Sequence, residues 1–330
     1  MKAVRLFGTG NLGCVEVEPP VPGPGEVLVR VEAAGICGTD RHLFRGEFPC
    51  TPPVTLGHEF CGTVTALGPG AGGIAVGDRI TCDPNIACGT CEQCARGRVN
   101  LCERLVAIGI HRDGGFAERV AIPAHRAFVL PADLDPTHGA MAEPLACCLH
   151  GIDRGAPRAG ERVLVMGGGV IGLLCQQLAR LAGADVTVLT RSAEKQTLAE
   201  ALGGRVAGTP EAALAAAPKG YDLVLECAGV PDTVAAAPAL TRNGGRIVIL
   251  GVLPQGARVQ LEPFDLLFRE IDVMTSFLNP FTQGRAAALI ASGRLNLAPL
   301  VSRTITLEDA PAAITNPPAR GEIRTMIVPA

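Results

Sequence analysis

Residues 163–172 read VLVMGGGVIG: an apolar run of strand length, then Gly167-x-Gly169-x-x-Gly172, then the opening of an apolar stretch with helical spacing that continues to Leu181. Glycines in this order let a chain leave a strand, turn tightly and start a helix whose first N–H groups face a pyrophosphate. Three glycines alone carry little information; the strand before them and the helix after them supply it. Gly167, Gly169, Val170, Ile171 and Gly172 are therefore the expected cofactor contacts on this turn. Outward from it the alternation continues, with a strand at Arg162–Met166, helix at Ile171–Leu181, strand at Val186–Leu189, helix at Ala193–Leu202, and strands at Leu223–Glu226 and Arg246–Leu250. Alternating strand and helix predicts an α/β fold with a parallel, doubly wound Rossmann sheet.

Toward the N-terminus the pattern changes. From Val27 to about Val129, short and often alternating apolar runs such as Val27–Val31 and Phe60–Thr65 are separated by Gly- and Pro-rich turns, which predicts a strand-rich domain. From Thr275 the signals mix again: a helix near Thr282–Ser292, an extended run Thr304–Leu307 and a last strand near Arg324–Val328. The expected organisation is a first domain over 1–148 with a lobe at 82–103, a dinucleotide-binding domain over 149–274, and a return to the first domain over 275–330. A chain of 330 residues that is 48% apolar holds enough core for two such domains.

A net charge of −3 with both signs intermixed offers no footprint for nucleic acid or an anionic membrane. With no Trp and one Tyr, Tyr221, no base-stacking platform is expected either. The opening MKAVRLFGTGNLG lacks the apolar run of a signal peptide, and no later stretch spans a bilayer, so the expectation is a cytosolic protein with small-molecule partners. In that setting thirteen cysteines point to metal binding or buried thiols in preference to disulfides.

Their spacing is specific. Cys88, Cys91, Cys94 and Cys102 form C-x2-C-x2-C-x7-C within CGTCEQCARGRVNLC, a loop too short for a core of its own. Four thiolates close a tetrahedral zinc shell and leave no exchangeable position, so this zinc braces a lobe and performs no chemistry. A nucleic-acid zinc ribbon is the rival reading, but neither basic nor aromatic residues crowd the loop.

A second donor set lies upstream. GICGTDRH at 35–42 brings Cys37, Thr39, Asp40 and His42 together, and LGHEFCGTV places His58 and Glu59 after a turn. Singly, His58 reads as a satisfied core histidine and Cys37 as a small hydrophobe; the combination of Cys, His and carboxylate reads as an open catalytic zinc site.

With G-I-C-G-T-D-x-H at 35–42, G-H-E at 57–59, the four-cysteine loop and G-D-R at 77–79, the chain resembles the medium-chain zinc alcohol dehydrogenase family nearly end to end. The resemblance implies a GroES-like catalytic domain, with Cys37 and His58 as catalytic zinc ligands and Glu59 as a ligand or as a carboxylate behind the shell that exchanges with water. It makes Thr39 the group that passes the substrate hydroxyl proton toward the cofactor ribose and His42. For the third ligand, AEPLACCLHG at 142–151 offers Glu143 and Cys147, which share a face if the segment is helical. Glu143 is the expected choice, since E-P-L resembles the sorbitol and polyol dehydrogenase branch; Cys147 sits nearer the position used by the simple-alcohol branch. A homodimer or homotetramer is also implied.

Cofactor choice is read eighteen positions after Gly172, at Thr190-Arg191-Ser192, where an NAD enzyme carries an acid for the ribose 2′-hydroxyl. No acid stands there, and Arg191 is suited to a 2′-phosphate with Thr190 and Ser192 donating hydrogen bonds, so NADP is expected over NAD. Candidate pocket walls are Phe44, Pro84, Ile110 and the stretch 277–281, in which Asn279 can meet a second substrate hydroxyl. The expected reaction is hydride transfer between NADP(H) and a secondary alcohol or ketone, a polyol or sugar alcohol foremost. Threonine 3-dehydrogenase-like or simple secondary alcohol oxidation is the alternative within the class, and a non-catalytic NADP-binding structural or sensor protein the alternative outside it.

Overall fold

The computed structural model describes residues 1–329, and the chain divides into two compact units, Met1–Pro144 with Pro280–Ala330, and Leu145–Asn279. The divisions fall a few residues from the expected 148/149 and 274/275.

In the second unit a six-stranded, all-parallel sheet runs in the order Arg205–Ala207, Asp185–Leu189, Arg162–Met166, Tyr221–Glu226, Thr241–Ile249, Asp272–Thr275. Strand order reverses beside Arg162–Met166, the arrangement of a doubly wound dinucleotide fold. Val163 to Met166 are all buried, which explains why this strand is apolar without alternation: crossover helices cover both faces of a parallel sheet. The helix after it runs Val170–Leu181 with Gly169 as N-cap, as the glycine pattern predicts.

Two glycines show why. Gly167 has φ +113°, a conformation that L side chains rarely adopt, and a Cβ on Gly172 would lie 1.9 Å from the Gly167 carbonyl oxygen. The elements absent from the sequence reading are those with weak signals. Arg205–Ala207 is three residues long. Pro231–Leu240 is an Ala-rich helix with Pro238 inside it and no amphipathic pattern.

The first unit is built on a mainly antiparallel sheet in the order Ala127–Leu130, Arg79–Cys82, Phe60–Leu67, Glu26–Gly35, Arg324–Ile327, Val301–Ile305, with Arg119–Pro123 also pairing to Glu26–Gly35. Met326 faces Gly35 and Ile327 faces Ala34 across the sheet, so the tail is a structural part of this unit. The extended run expected at Thr304–Leu307 is a strand at Val301–Ile305. Parallel pairing of Ile305 with Ile327 sets its end, and Leu307 is buried beyond it. A core of Val27, Val29, Val31, Leu56, Phe60, Ile80, Phe116 and Ile122 underlies the sheet. Among the described residues no helix is long and apolar enough to cross a membrane.

Candidate functional site

The four-cysteine loop hangs between two short paired strands, Asn85–Ile86 and Val106–Ala107. Within it the sulfurs of Cys88, Cys91, Cys94 and Cys102 all lie within 4.8 Å of one another, and no disulfide forms among the described residues. Donors surround the sulfurs: the Cys88 and Arg104 N–H groups point to Cys102 Sγ at 3.3 and 3.4 Å, and Arg104 Nη2 points to Cys88 Sγ at 3.5 Å while also donating to Thr90 Oγ1 at 2.7 Å. The Thr90 backbone N–H and then the Arg104 guanidinium bring the Cys88 thiol down to about 5. Four clustered sulfurs ringed by donors suit thiolates bound to zinc.

The second cluster is assembled from distant segments of the first unit. Cys37 follows the strand Glu26–Gly35 and caps the helix Gly38–Phe44, where the Asp40 carboxylate accepts the Cys37 N–H at 2.7 Å. His58 and Glu59 follow a turn at Gly57 and precede the strand Phe60–Leu67. Sγ of Cys37, a ring nitrogen of His58 and a carboxylate oxygen of Glu59 lie within 4.8 Å of one another.

Asp40, fully buried, sits with Oδ1 3.7 Å from His58 Nδ1. A carboxylate behind one ring nitrogen leaves Nε2 for a metal, the usual arrangement behind a zinc-bound histidine. Burial pushes Asp40 up to about 6, against the pull of His58. His58 is moved down by burial, but the charges of Cys37, Asp40 and Glu143 outweigh this and hold it well above its ordinary range.

Arg324, buried, places Nη2 3.2 Å from Glu59 Oε1 and donates through Nη1 to the Ile36 carbonyl. Both Glu59 oxygens and His58 Nδ1 are nonetheless buried without hydrogen-bond partners. Asp40, Glu59 and Glu143 thus gather three carboxyl groups near the Arg324 guanidinium, with Arg41 and His58 as further cationic groups. Buried anionic oxygens without partners are costly, and a divalent cation among these donors satisfies them; a Cys, His and carboxylate set fits zinc.

Glu143 and Cys147 do share the helix Ala142–Gly155. Glu143 is buried and bears electrostatically on both His58 and Arg324, but the tight donor cluster contains Glu59 and neither Glu143 nor Cys147. Thr39 Oγ1 lies 3.6 Å from Cys37 Sγ. One helical turn on, His42 is half-buried, with Nδ1 2.5 Å from Glu47 Oε2 and 3.3 Å from the Arg45 guanidinium. Phe44 and Ile110, expected as pocket walls, pack into the core of the first unit. Asn279 is buried in the second.

The roles of Asp40, Glu47 and Arg324 were not assigned from sequence. Asp40 was recognisable as the third helical residue after an N-cap; Arg324 stands 265 positions after Glu59, with no local signal to join them.

On the dinucleotide turn, a Cβ at Gly168 would lie 3.0 Å from both Thr190 Oγ1 and Lys195 Cβ, so Thr190 and Lys195 flank the glycines. Arg191 is exposed. Ser192 caps the helix Ala193–Ala201: its hydroxyl accepts from Lys195 N–H at 3.4 Å and donates to Glu194 at 2.6 Å. Lys195 is an additional cation beside the turn.

Comparison with known proteins agrees with this geometry. Residues 23–132 match the family described as alcohol dehydrogenase GroES-like domain, and residues 170–292 the family described as zinc-binding dehydrogenase. Sorbitol dehydrogenase of Halalkalibacterium halodurans is 34% identical over 94% of this chain and 94% of its own length. L-threonine 3-dehydrogenase of Pyrococcus furiosus is 32% identical over 87% of this chain and 86% of its own. A Sinorhizobium meliloti 1021 protein assigned as a zinc-binding dehydrogenase, crystallised with NADP, is 55% identical, covers 99% of both chains and superposes with a TM-score of 0.97.

Proposed function

Because the chain belongs to the medium-chain zinc alcohol dehydrogenase family, we propose that it transfers hydride between NADP(H) and a secondary alcohol or its ketone, with polyols or sugar alcohols as the substrate class. The observation that carries this reading is the cluster of Cys37, His58 and Glu59, in which both Glu59 oxygens and His58 Nδ1 are buried without hydrogen-bond partners. Zinc held there supplies a Lewis acid that lowers the pKa of a hydroxyl, and the nicotinamide accepts the hydride.

The protein's own groups do the rest. Asp40 orients the His58 ring, and Arg324 offsets the charge of Glu59 so that this carboxylate is free to trade places with solvent. Thr39, beside Cys37, takes up the hydroxyl proton; His42, held by Glu47, carries it outward. Glu143 adds to the anionic surroundings of His58 and Arg324 and in this reading receives a second hydroxyl, which favours a diol. The sorbitol dehydrogenase relative supports the same class.

NADP preference is supported by the absence of an acid at 190–192, by the exposed Arg191 next to Thr190 in sequence, by Lys195 beside the turn, and by the NADP bound in the Sinorhizobium relative. Thr190→Asp sets a carboxylate against a 2′-phosphate, so the NADP/NAD ratio of kcat/KM should fall by about tenfold or more; an unchanged ratio removes Thr190–Ser192 from cofactor choice.

Self-association is proposed at the edge strand Asp272–Thr275. Beside it in sequence, Phe264 and Phe268 stack at 4.2 Å while 65% and 71% exposed, and Leu267 is 73% exposed. Such an edge and apolar patch suit a second copy of the chain. Sedimentation of Phe268→Asp should show a smaller species than the wild type.

The deciding experiment measures zinc per chain, then NADP and NAD reduction with polyols, simple secondary alcohols and threonine. About two zincs with polyol-driven NADP reduction is the expected result. One zinc without turnover leaves the four-cysteine loop standing and removes the catalytic site; turnover on threonine alone moves the substrate to the class of the Pyrococcus relative.

A further inference from the structure

One buried carboxyl group of the second unit belongs to neither metal cluster. Glu226 ends the strand Tyr221–Glu226 and is fully buried. Its Oε1 accepts the Ala228 and Gly229 N–H groups, each at 2.9 Å. The same oxygen lies 2.7 Å from the Thr233 hydroxyl, whose proton it shares with the Val230 carbonyl at 2.8 Å. Oε2 is buried without a hydrogen-bond partner. The Glu226 backbone carbonyl accepts the Leu250 N–H at 2.8 Å and the Gly251 N–H at 3.0 Å.

Glu226 thereby ties together the segments that leave three neighbouring strands, Arg162–Met166, Tyr221–Glu226 and Thr241–Ile249. Cys227 N–H donates to the Met166 carbonyl at 2.9 Å, and a Cβ on Gly167 would lie 2.9 Å from Ala228 N. A Cβ on Gly251 would lie 2.2 Å from Gly229 N and 2.6 Å from Glu226 Oε2. One on Gly229, at φ +67°, would lie 2.7 Å from the Val252 carbonyl oxygen. Backbone meets backbone at this junction, so the carboxyl group that holds the Ala228 and Gly229 N–H groups sets where all three segments run. A buried oxygen without a partner costs stability, and a leucine would fill similar space without one, so packing alone does not account for a carboxyl group here.

We propose that Glu226 is a positioning residue for the nicotinamide half of the cofactor, acting through the backbone of residues 227–230 and 250–252. The proposal rests on the dinucleotide reading of residues 167–172. In a doubly wound sheet each half takes one nucleotide, on either side of the point where strand order reverses. The half that carries Asp185–Leu189 and Thr190 is read for the adenosine end, which leaves the nicotinamide end to the half that begins with Tyr221–Glu226.

The effect is one of preorganisation. With Oε1 engaged, the loop between the strand Tyr221–Glu226 and the helix Pro231–Leu240 has one shape before any ligand arrives. Without that acceptor two N–H groups lose their partner, the loop samples other shapes, and binding has to order it at a cost in affinity. The groups read for the adenosine end, Thr190 and Lys195, flank Gly168 and are held by other bonds, from Gln196 Nε2 to the Thr190 carbonyl and from Lys195 N–H to Ser192. Loss of Glu226 should therefore fall on one end of the cofactor.

Zinc-loaded, full-length protein is titrated by calorimetry with NADPH and with adenosine 2′,5′-bisphosphate, which carries the adenosine end alone. Glu226→Leu should raise the NADPH Kd about tenfold and leave the bisphosphate Kd within about twofold of wild type. Glu226→Gln keeps an acceptor oxygen and should stay within about threefold of wild type for both ligands. Backbone hydrogen exchange at residues 228–229 should be faster in Glu226→Leu and unchanged in Glu226→Gln. Equal weakening of both ligands, the mark of a loosened domain, overturns the proposal. So does an unchanged NADPH Kd in Glu226→Leu, or a loss in Glu226→Gln as large as in Glu226→Leu. Should Glu226→Leu fail to fold, Thr233→Val decides: an NADPH Kd raised about threefold with the bisphosphate unaffected supports the role, and no difference between the ligands overturns it. Wild type that binds neither ligand overturns the cofactor reading and this role with it, while hydrogen exchange at 228–229 still reports whether Glu226 holds the loop.

Discussion

The two donor clusters of the first unit are built from similar residues in opposite ways. In the four-cysteine loop every sulfur lies within fifteen consecutive residues, and Arg104, two residues beyond, donates to the Cys102 and Cys88 sulfurs. The Cys37 cluster draws on residues 37, 58 and 59, is steadied by Asp40 and by Arg324 from the last strand, and leaves buried oxygens and a ring nitrogen without partners. A closed shell is complete from local sequence; an open one needs the fold to hold mismatched charges together.

The sharpest way to break this contrast is Cys37→Ser. Turnover should fall by about three orders of magnitude, the several kcal/mol expected of a lost Lewis acid, while one zinc per chain and the unfolding transition are retained. A variant of normal rate would end the assignment of catalysis to this cluster. Cys91→Ala tests the other side: it should release the loop zinc, make residues 88–102 the first site of limited proteolysis, and reduce turnover per remaining zinc far less than Cys37→Ser does. Equal losses of turnover from the two variants would erase the distinction between bracing and chemistry.

Arg324→Met should weaken zinc binding at the Cys37 cluster by about 10–100-fold, the scale of lost support behind metal ligands, with the loop zinc untouched. This is measured by competition with a chelator and by thermal melting, because a buried Glu59 stripped of its counter-charge also destabilises the fold. Retention of both zincs at wild-type affinity would show that Arg324 only packs. Smallest of all, Arg104→Gln should change loop-zinc affinity within about fivefold, since an exposed guanidinium donor is screened by solvent; a larger loss would mean that the loop depends on its surroundings as the open cluster does.

Much of the molecule was legible from short stretches. The strand Arg162–Met166 and the helix from Val170 follow from apolar runs and three glycines, because buried parallel strands and helix openings leave strong local patterns. The short strand Arg205–Ala207 and the helix Pro231–Leu240 escaped, one for its length and the other because an Ala- and Pro-rich helix shows no apolar face. At the site, Cys37, His58 and Glu59 were named from sequence and the fold gathers them. Phe44 and Ile110, read as pocket walls, serve the core, since an apolar side chain looks the same in either place. Ser192 also caps the helix Ala193–Ala201, a second use of the same hydroxyl that depends on where that helix begins.

By itself, then, the sequence determined the parts whose physics is local: the glycine turn between strand and helix, the four-cysteine shell, the missing acid at Thr190, and the alternation that makes a parallel sheet. Tertiary structure alone decided that Arg324 returns to face Glu59, that Asp40 stands behind His58, and that Lys195 flanks the turn. Those pairings depend on strand register and helix packing across the chain, and no spacing in a linear sequence encodes a distance between residues that only a folded core brings together.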